Sequence, residues 1–337
     1  MTVLVTGANG FLGTSLVEKL AENGEKSIRC FLREGGNQKR LEDIIRRYPD
    51  TRIELFYGTL SSIDDCRKAI VDIEKIYHLA GTFSGAIADM FYNTVVATKN
   101  LFDAFTPENC KLPIIFISSF SVYGVSNQRA GYTINEESPL ETNPTLRDPY
   151  SFVKTFQEKM VLDYQKKYGF PLAILRPGVI YGPHGGGVMS GRVGVSIGNL
   201  FLHLGGNNLI PLSYVENCAD AIICAGNNIS DGVEIFNVHD NDLPTSKHYL
   251  KEYKKSIRKI RSIRIPYFLL QIISRIVKWY HVYSNGQLPD IFTPYKSAAM
   301  WKGNKFDNSK LRSIGWEQKV STREGMNLTF EGHKSSA

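Results

Sequence analysis

Tyr150 and Lys154 stand four apart in the stretch Asp148-Pro149-Tyr150-Ser151-Phe152-Val153-Lys154. On a helix, that spacing puts a phenol and an ammonium on one face. A phenol with a pKa near ~10 is a poor proton carrier at neutral pH, but a neighbouring cation stabilises the phenolate and brings it towards working range. Such a pair can exchange a proton with a hydroxyl or a carbonyl. Tyr and Lys at this spacing also occur by chance on exposed helices, so the pair gains meaning only from its surroundings. Pro149 fits a helix start, and the amphipathic run from Phe152 to Tyr168 continues it.

The N-terminal stretch supplies the first surrounding element. Val3-Leu4-Val5 runs into Thr6-Gly7-Ala8-Asn9-Gly10-Phe11-Leu12-Gly13, and Thr14 to Glu22 then shows helical periodicity. A strand, a glycine-rich turn and a helix in that order form a phosphate cradle, since glycines admit a pyrophosphate and the helix start offers free N–H groups. The spacing is G-x-x-G-x-x-G rather than G-x-G-x-x-G. A second strand, Ser27 to Leu32, ends at Arg33, where a carboxylate would suit the ribose of NAD and an arginine the extra phosphate of NADP. Arg33, with Lys39 and Arg40 behind it, favours NADP over NAD, and Glu34 dissents.

Further strands are expected at Ile53 to Tyr57, Lys75 to Leu79 and Ile114 to Ile117, with a helix from Ala86 to Phe105. The expected class is α/β: a doubly wound, Rossmann-type parallel sheet with a smaller C-terminal substrate domain. Residues 1–177, rejoined by 217–238, would bind the dinucleotide. Residues 178–216 and 239–332 would bind substrate, and 333–337 would be a disordered tail. The glycine-rich run from Pro183 to Gly198 reads either as a surface loop or as a lid whose His184 and Arg192 face the ligand.

The composition is that of an ordinary globular chain of 337 residues, long enough for a large core. Its five cysteines lack metal or redox spacing, no metal site is expected, and no run is apolar enough to span a bilayer. A strand-like start at Thr2 leaves no room for a signal peptide, so a cytoplasmic location is expected. Much of the net charge of +7 lies between Lys251 and Arg264, read as a solvated face. Phosphate groups of a substrate are an alternative, and so is a membrane surface, because the apolar segment Ile265 to Tyr280 follows. Nucleic acid is not an expected partner.

Taken together, the chain resembles an extended short-chain dehydrogenase/reductase of the NAD(P)-dependent epimerase/dehydratase family. Thr6 to Gly13 resembles T-G-x-x-G-F-[IL]-G, Tyr77 to Ala80 V-x-H-L-A, and Ser118 to Gly124 S-S-x-x-V-Y-G. Tyr150 and Lys154 fit Y-x-x-x-K, and Leu175 to Pro183 resembles L-R-P-x-x-V-Y-G-P. Thr94 to Leu101, Tyr214 to Ala221 and Phe306 to Trp316 resemble further family segments. The resemblance implies Tyr150 as general acid/base, Lys154 as ribose ligand and phenolate stabiliser, and Ser119 as the hydroxyl that holds the substrate oxygen. It places Gly7, Asn9, Gly10, Phe11, Leu12, Gly13, Thr59, Leu60, Leu79, Ala80, Gly81, Pro177 and Val179 beside the cofactor. Ser121, His184 and Arg192 are substrate candidates. A homodimer built on the helices around 86–105 and 150–168 is also implied.

Two departures from the family pattern bear on the chemistry. Gly58-Thr59-Leu60 lacks the carboxylate that usually meets the adenine, and Phe120-Ser121 replaces the acidic pair of the 4,6-dehydratases. Loss of water needs an acid and a base, so dehydration is disfavoured. The expected activity is nucleotide-sugar 4-epimerisation or 4-keto reduction. The alternatives are reduction of an apolar ketone, as in the hydroxysteroid dehydrogenase and dihydroflavonol reductase branches, and non-catalytic sensing of NADP.

Overall fold

The computed structural model describes residues 2–185, 188–285 and 292–336. Strands and helices alternate at first: β1 (Thr2–Thr6), α1 (Phe11–Glu22), β2 (Ser27–Leu32), α2 (Lys39–Arg47), β3 (Arg52–Tyr57), α3 (Ile63–Ala69) and β4 (Ile73–His78). Then come α4 (Ile87–Phe91), a π turn (Tyr92–Val96), α5 (Ala97–Asp103), β5 (Ile114–Ile117), β6 (Tyr132–Ile134), α6 (Pro149–Tyr168) and β7 (Leu172–Pro177). The next stretch holds β8 (Val179–Tyr181), β9 (Gly194–Ile197), β10 (Leu200–His203), β11 (Leu212–Tyr214), α7 (Val215–Asn227) and β12 (Val233–Val238). Last are α8 (Ser246–Ser256), β13 (Arg261–Arg264), α9 (Tyr267–Tyr283), α10 (Pro294–Trp301), β14 (Asn304–Phe306), α11 (Ser309–Ser313) and α12 (Thr322–Ser336).

Seven parallel strands form the central sheet in the order β12-β7-β5-β4-β1-β2-β3. From β1 the chain winds outward one way and from β4 the other, so the order reverses between these two strands. A crevice opens at such a reversal, outside the carboxyl ends of the strands, and ligands bind there. Both sheet faces are covered, which explains the unbroken apolar run in β5: Ile115 and Ile117 pack with Leu16, Val17 and Ile222, while Ile114 and Phe116 pack with Phe102, Val161 and Phe170 on the other side. A separate apolar cluster, including Tyr181, Val193, Phe201, Tyr249 and Phe330, joins β8, β10, α8 and α12 outside the central sheet.

Three stretches differ from the expectations. The helix expected over Ala86 to Phe105 is broken by the π turn. There the Thr98 hydroxyl donates to Thr94 O at 2.6 Å, and the Thr94 hydroxyl accepts from Thr82 N at 3.0 Å. Side-chain hydroxyls thus compete with the helical ladder in a β-branched run. The glycine-rich stretch is not all loop, because Gly194–Ile197 pairs with β10 as β9. A Cβ on Gly194 would sit 1.9 Å from Leu202 O, so this glycine serves close strand approach. Gly186 and Gly187 lie outside the described residues. The expected tail is helical instead, α12 continuing to Ser336.

The start of α6 is fixed by an Asp148 cap, whose carboxylate accepts from Ser151 N at 3.0 Å and from the Ser151 hydroxyl at 2.6 Å. Gly169, at φ 67°, closes the helix in the left-handed conformation. Buried Glu141 accepts from Arg147 Nη1 at 2.9 Å, from Asn143 N at 2.9 Å and from the Tyr295 hydroxyl at 2.6 Å. One carboxylate thereby joins α10 to the segment that leads into α6.

Candidate active site

A cavity of about 560 Å³ runs along the carboxyl ends of the central strands. At one end Gly7, with φ 72°, turns the chain out of β1, and a Cβ there would meet Ala80 N at 3.1 Å. Packing at Gly13 is closer still: a Cβ would lie 2.0 Å from Gly7 O. Gly10 caps α1 with no side-chain bond, leaving the first N–H groups of the helix for an anion. These features fit a dinucleotide pyrophosphate.

Gly7, the run Asn9 to Gly13, Arg33, Thr59, Leu60, the run Leu79 to Gly81, Ser119, Tyr150, Lys154 and Pro177 all line this cavity. Four candidates lie elsewhere. Val179 packs against the apolar cluster outside the central sheet, and its neighbour Ile180 takes the cavity wall. His184 borders a separate depression with Glu18, Arg40, Asp43 and Arg47. Ser121 donates its N–H to Ser119 Oγ at 3.1 Å, while its own hydroxyl is buried without a partner. Arg192 lies beside Arg147 and Asp148 at the start of α6, where burial and Arg147 lower its pKa to about 10. The Thr59 Oγ1 accepts from Ser61 N at 3.2 Å and retains a lone pair and its own O–H, while the nearby Asp65 is committed to Thr59 N at 2.9 Å.

Tyr150 and Lys154 share the cavity face of α6 as their spacing requires. Burial raises the phenol pKa and Asp148 adds to that, while a hydrogen bond with Ser119 favours the phenolate and opposes both. The Lys154 ammonium donates to Ile117 O at 2.7 Å and to Gln157 Oε1 at 2.6 Å, leaving one N–H. Burial lowers its pKa to about 7, against the pull of Glu158. Glu158 offers little more, because its carboxylate is bonded to Arg176 and accepts from the Ser118 hydroxyl.

Behind the lysine runs a buried relay. Because the Thr98 hydroxyl donates to Thr94 O, its oxygen accepts from Gln157 Nε2 at 2.8 Å and from His78 Nε2 at 2.8 Å. His78 Nδ1 then accepts from the Thr6 hydroxyl at 2.8 Å. This bonding requires a neutral imidazole, and burial together with Lys154 lowers the His78 pKa to about 3. The end of β1 and Lys154 are thus connected through four side chains.

Residues 3–238 match the profile of the NAD dependent epimerase/dehydratase family. The chain belongs to that family. As a member it is an NAD-dependent enzyme of the extended short-chain dehydrogenase/reductase type. It is 25% identical to the N-acetyl-alpha-D-glucosaminyl-diphospho-ditrans,octacis-undecaprenol 4-epimerase of Escherichia coli O157:H7, over 98% of this chain and 94% of that protein. The sterol-4-alpha-carboxylate 3-dehydrogenase (decarboxylating) of Mus musculus is 24% identical over 97% of this chain and 89% of its own length. Among solved structures, UDP-glucose 4-epimerase from Bifidobacterium longum, in complex with NAD+ and UDP, superposes with a TM-score of 0.73 at 19% identity, covering 99% of this chain and 98% of that one. Epimerase/dehydratase members therefore include proteins named for sugar and for sterol chemistry.

Several cavity residues were not among the candidates named from the sequence. Asn93 reaches the wall through the π turn, Phe83 from the connection after β4, and Ile180 and Tyr181 from β8. Gln157, three residues after Lys154, was hidden because α6 reads only as an amphipathic helix; its partner Thr98 becomes visible once α5 is packed against it.

Proposed function

We propose that this protein is a 4-epimerase or 4-keto reductase of a sugar carried on a diphosphate, with Tyr150 as general acid/base. The supporting observation is that Ser119, Tyr150 and Lys154 converge in the cavity that also holds the glycine turn. The bound nicotinamide cofactor supplies hydride transfer. Tyr150 takes the proton of the substrate hydroxyl as its carbon is oxidised, and gives it back on reduction. Ser119 donates to the substrate oxygen and orients it, while the Lys154 ammonium favours the phenolate and offers its remaining N–H to a ribose hydroxyl. A diphosphate suits Arg192, which has Arg147 as a like-charged neighbour and an Asp148 already committed to capping. The absence of acids at Phe120-Ser121 argues against expulsion of water. Arg33, exposed at the adenine end, supports NADP as the preferred cofactor.

A second reading, oxidation or reduction of an apolar alcohol or ketone, draws support from Phe83 and Ile180 on the cavity wall and from the sterol-directed relative. Nicotinamide absorbance and product analysis with UDP-sugars, a polyprenyl-diphosphate sugar and 3-hydroxysteroids separate the two readings. Whichever substrate turns over, Tyr150→Phe loses roughly 100- to 10,000-fold in kcat while still binding cofactor; near-normal turnover removes the assignment. For Arg33→Ala, KM should rise for NADP and not for NAD, and an equal change for both cofactors would reject the preference.

A further inference from the structure

Helix α9 packs one side onto α10 and presents apolar residues on the other. Leu270 joins Leu204 and Trp301 in a small buried cluster, and the hydroxyls of Ser274 and Ser297 lie 2.8 Å apart. On the opposite face Phe268, Ile272, Ile276, Trp279 and Tyr283 follow one another at steps of four, four, three and four. These five side chains are between 46% and 74% exposed. A surface helix of a globular domain carries charged residues on that face. Here an apolar ridge occupies it, ending in the stacked rings of Trp279 and Tyr283, 5.5 Å apart.

The ridge is bordered by one sign of charge. Arg275 and Lys278 flank it, and Arg261 and Arg264 precede it on β13. Burial lowers the pKa of His203, and the nearby charges of Arg264, Lys254 and Lys247 lower it further, so these cations gather around one side chain. No acidic residue occurs between Glu252 and Asp290. Among the described residues, Arg258, Lys259, Arg261, Arg264, Arg275 and Lys278 have no carboxylate partner, in contrast to Lys19 or Arg176. A second copy meeting this face symmetrically would bring these cations against their own equivalents.

We infer that α9 is a membrane-docking helix that lies in the headgroup region of an anionic bilayer. Phe268, Ile272, Ile276 and Trp279 would enter the acyl boundary, and the arginines and lysines would meet lipid phosphates. Its 17 residues span about 25 Å, and no helix among the described residues is long and apolar enough to cross a membrane. The helix therefore lies flat on the surface. From α9 the structure leads towards the active site through α10, where Trp301 Nε1 donates to Gly191 O at 3.1 Å, next to Arg192. A substrate built on a polyprenyl or sterol skeleton would be presented from this side, although docking itself does not depend on the proposed chemistry.

Co-sedimentation of the full-length protein with vesicles tests this inference. It should bind vesicles of phosphatidylglycerol in phosphatidylcholine about tenfold or more tightly than vesicles of phosphatidylcholine alone, and less tightly as salt rises. The triple variant Ile272→Ser, Ile276→Ser, Trp279→Ser should lose about tenfold in vesicle binding, with cofactor binding and thermal unfolding unchanged as evidence of an intact fold. Protein that stays in the supernatant with anionic vesicles overturns the inference, as does a triple variant that sediments like the parent. Self-association abolished by the triple variant, without vesicle binding, would assign the face to a second copy instead.

Discussion

His78 is charged in neither of its bonding roles: it donates to Thr98 and accepts from Thr6. Its folded pKa, near 3, lies below the ordinary 6.5, so between these values the unfolded chain binds a proton that the folded chain does not. This contribution to stability is complete above about pH 6.5 and declines by up to about 1.4 kcal/mol per unit as the pH falls towards 3. Unfolding measured across that range should show a shallower pH slope in His78→Gln than in the parent, and parallel slopes would refute the neutral assignment. Lys154 shows the opposite difficulty. It sits among neutral oxygens, and burial depresses its pKa while Glu158 only partly opposes the shift. The Tyr150 and Lys154 spacing was legible in the chain because four residues bring two side chains together on any helix. The relay was not, since its members come from β1, β4, α5 and α6.

Elements with a simple pattern were read within a residue or two. β2 and β5 occupy the expected spans, because an apolar run bounded by polar residues has few other ways to lie in a covered sheet. The π turn could not be foreseen, because it depends on where the Thr94 and Thr98 hydroxyls find partners. β9, β10 and β13 were likewise obscured, the glycines that permit their contact being indistinguishable in sequence from those of a loop. The β1-turn-α1 unit allows a test at this scale. Gly13→Ala places a methyl group 2.0 Å from Gly7 O, which is backbone and can yield only by opening the turn. Cofactor titration should show Kd raised at least about tenfold, corresponding to about 1.4 kcal/mol. Unchanged affinity would mean that the turn is not the phosphate site.

At the scale of the whole molecule, exposed apolar residues are scattered, and two groups of them lie on helices. One is the α9 ridge. The other comprises Ile87, Tyr92 and Phe156, exposed on α4, the π turn and α6. We propose that this second region is the contact of a homodimer, separate from α9. Light scattering should then give twice the chain mass both for the parent and for the triple variant in α9; a monomeric parent would contradict it.

The buried carboxylate of Glu141 has a consequence for how substrate enters and product leaves. It ties α10, through the Tyr295 hydroxyl, to the turn that leads into the helix of Tyr150. Opening by a hinge between them would break the bond from the Tyr295 hydroxyl, while Glu141 would keep Arg147 and Asn143 as partners. The segment Thr82 to Ala86 borders the active-site cavity with exposed Phe83 and with Gly85 at φ 116°, and it is held to the π turn by Thr82 N donating to the Thr94 hydroxyl at 3.0 Å.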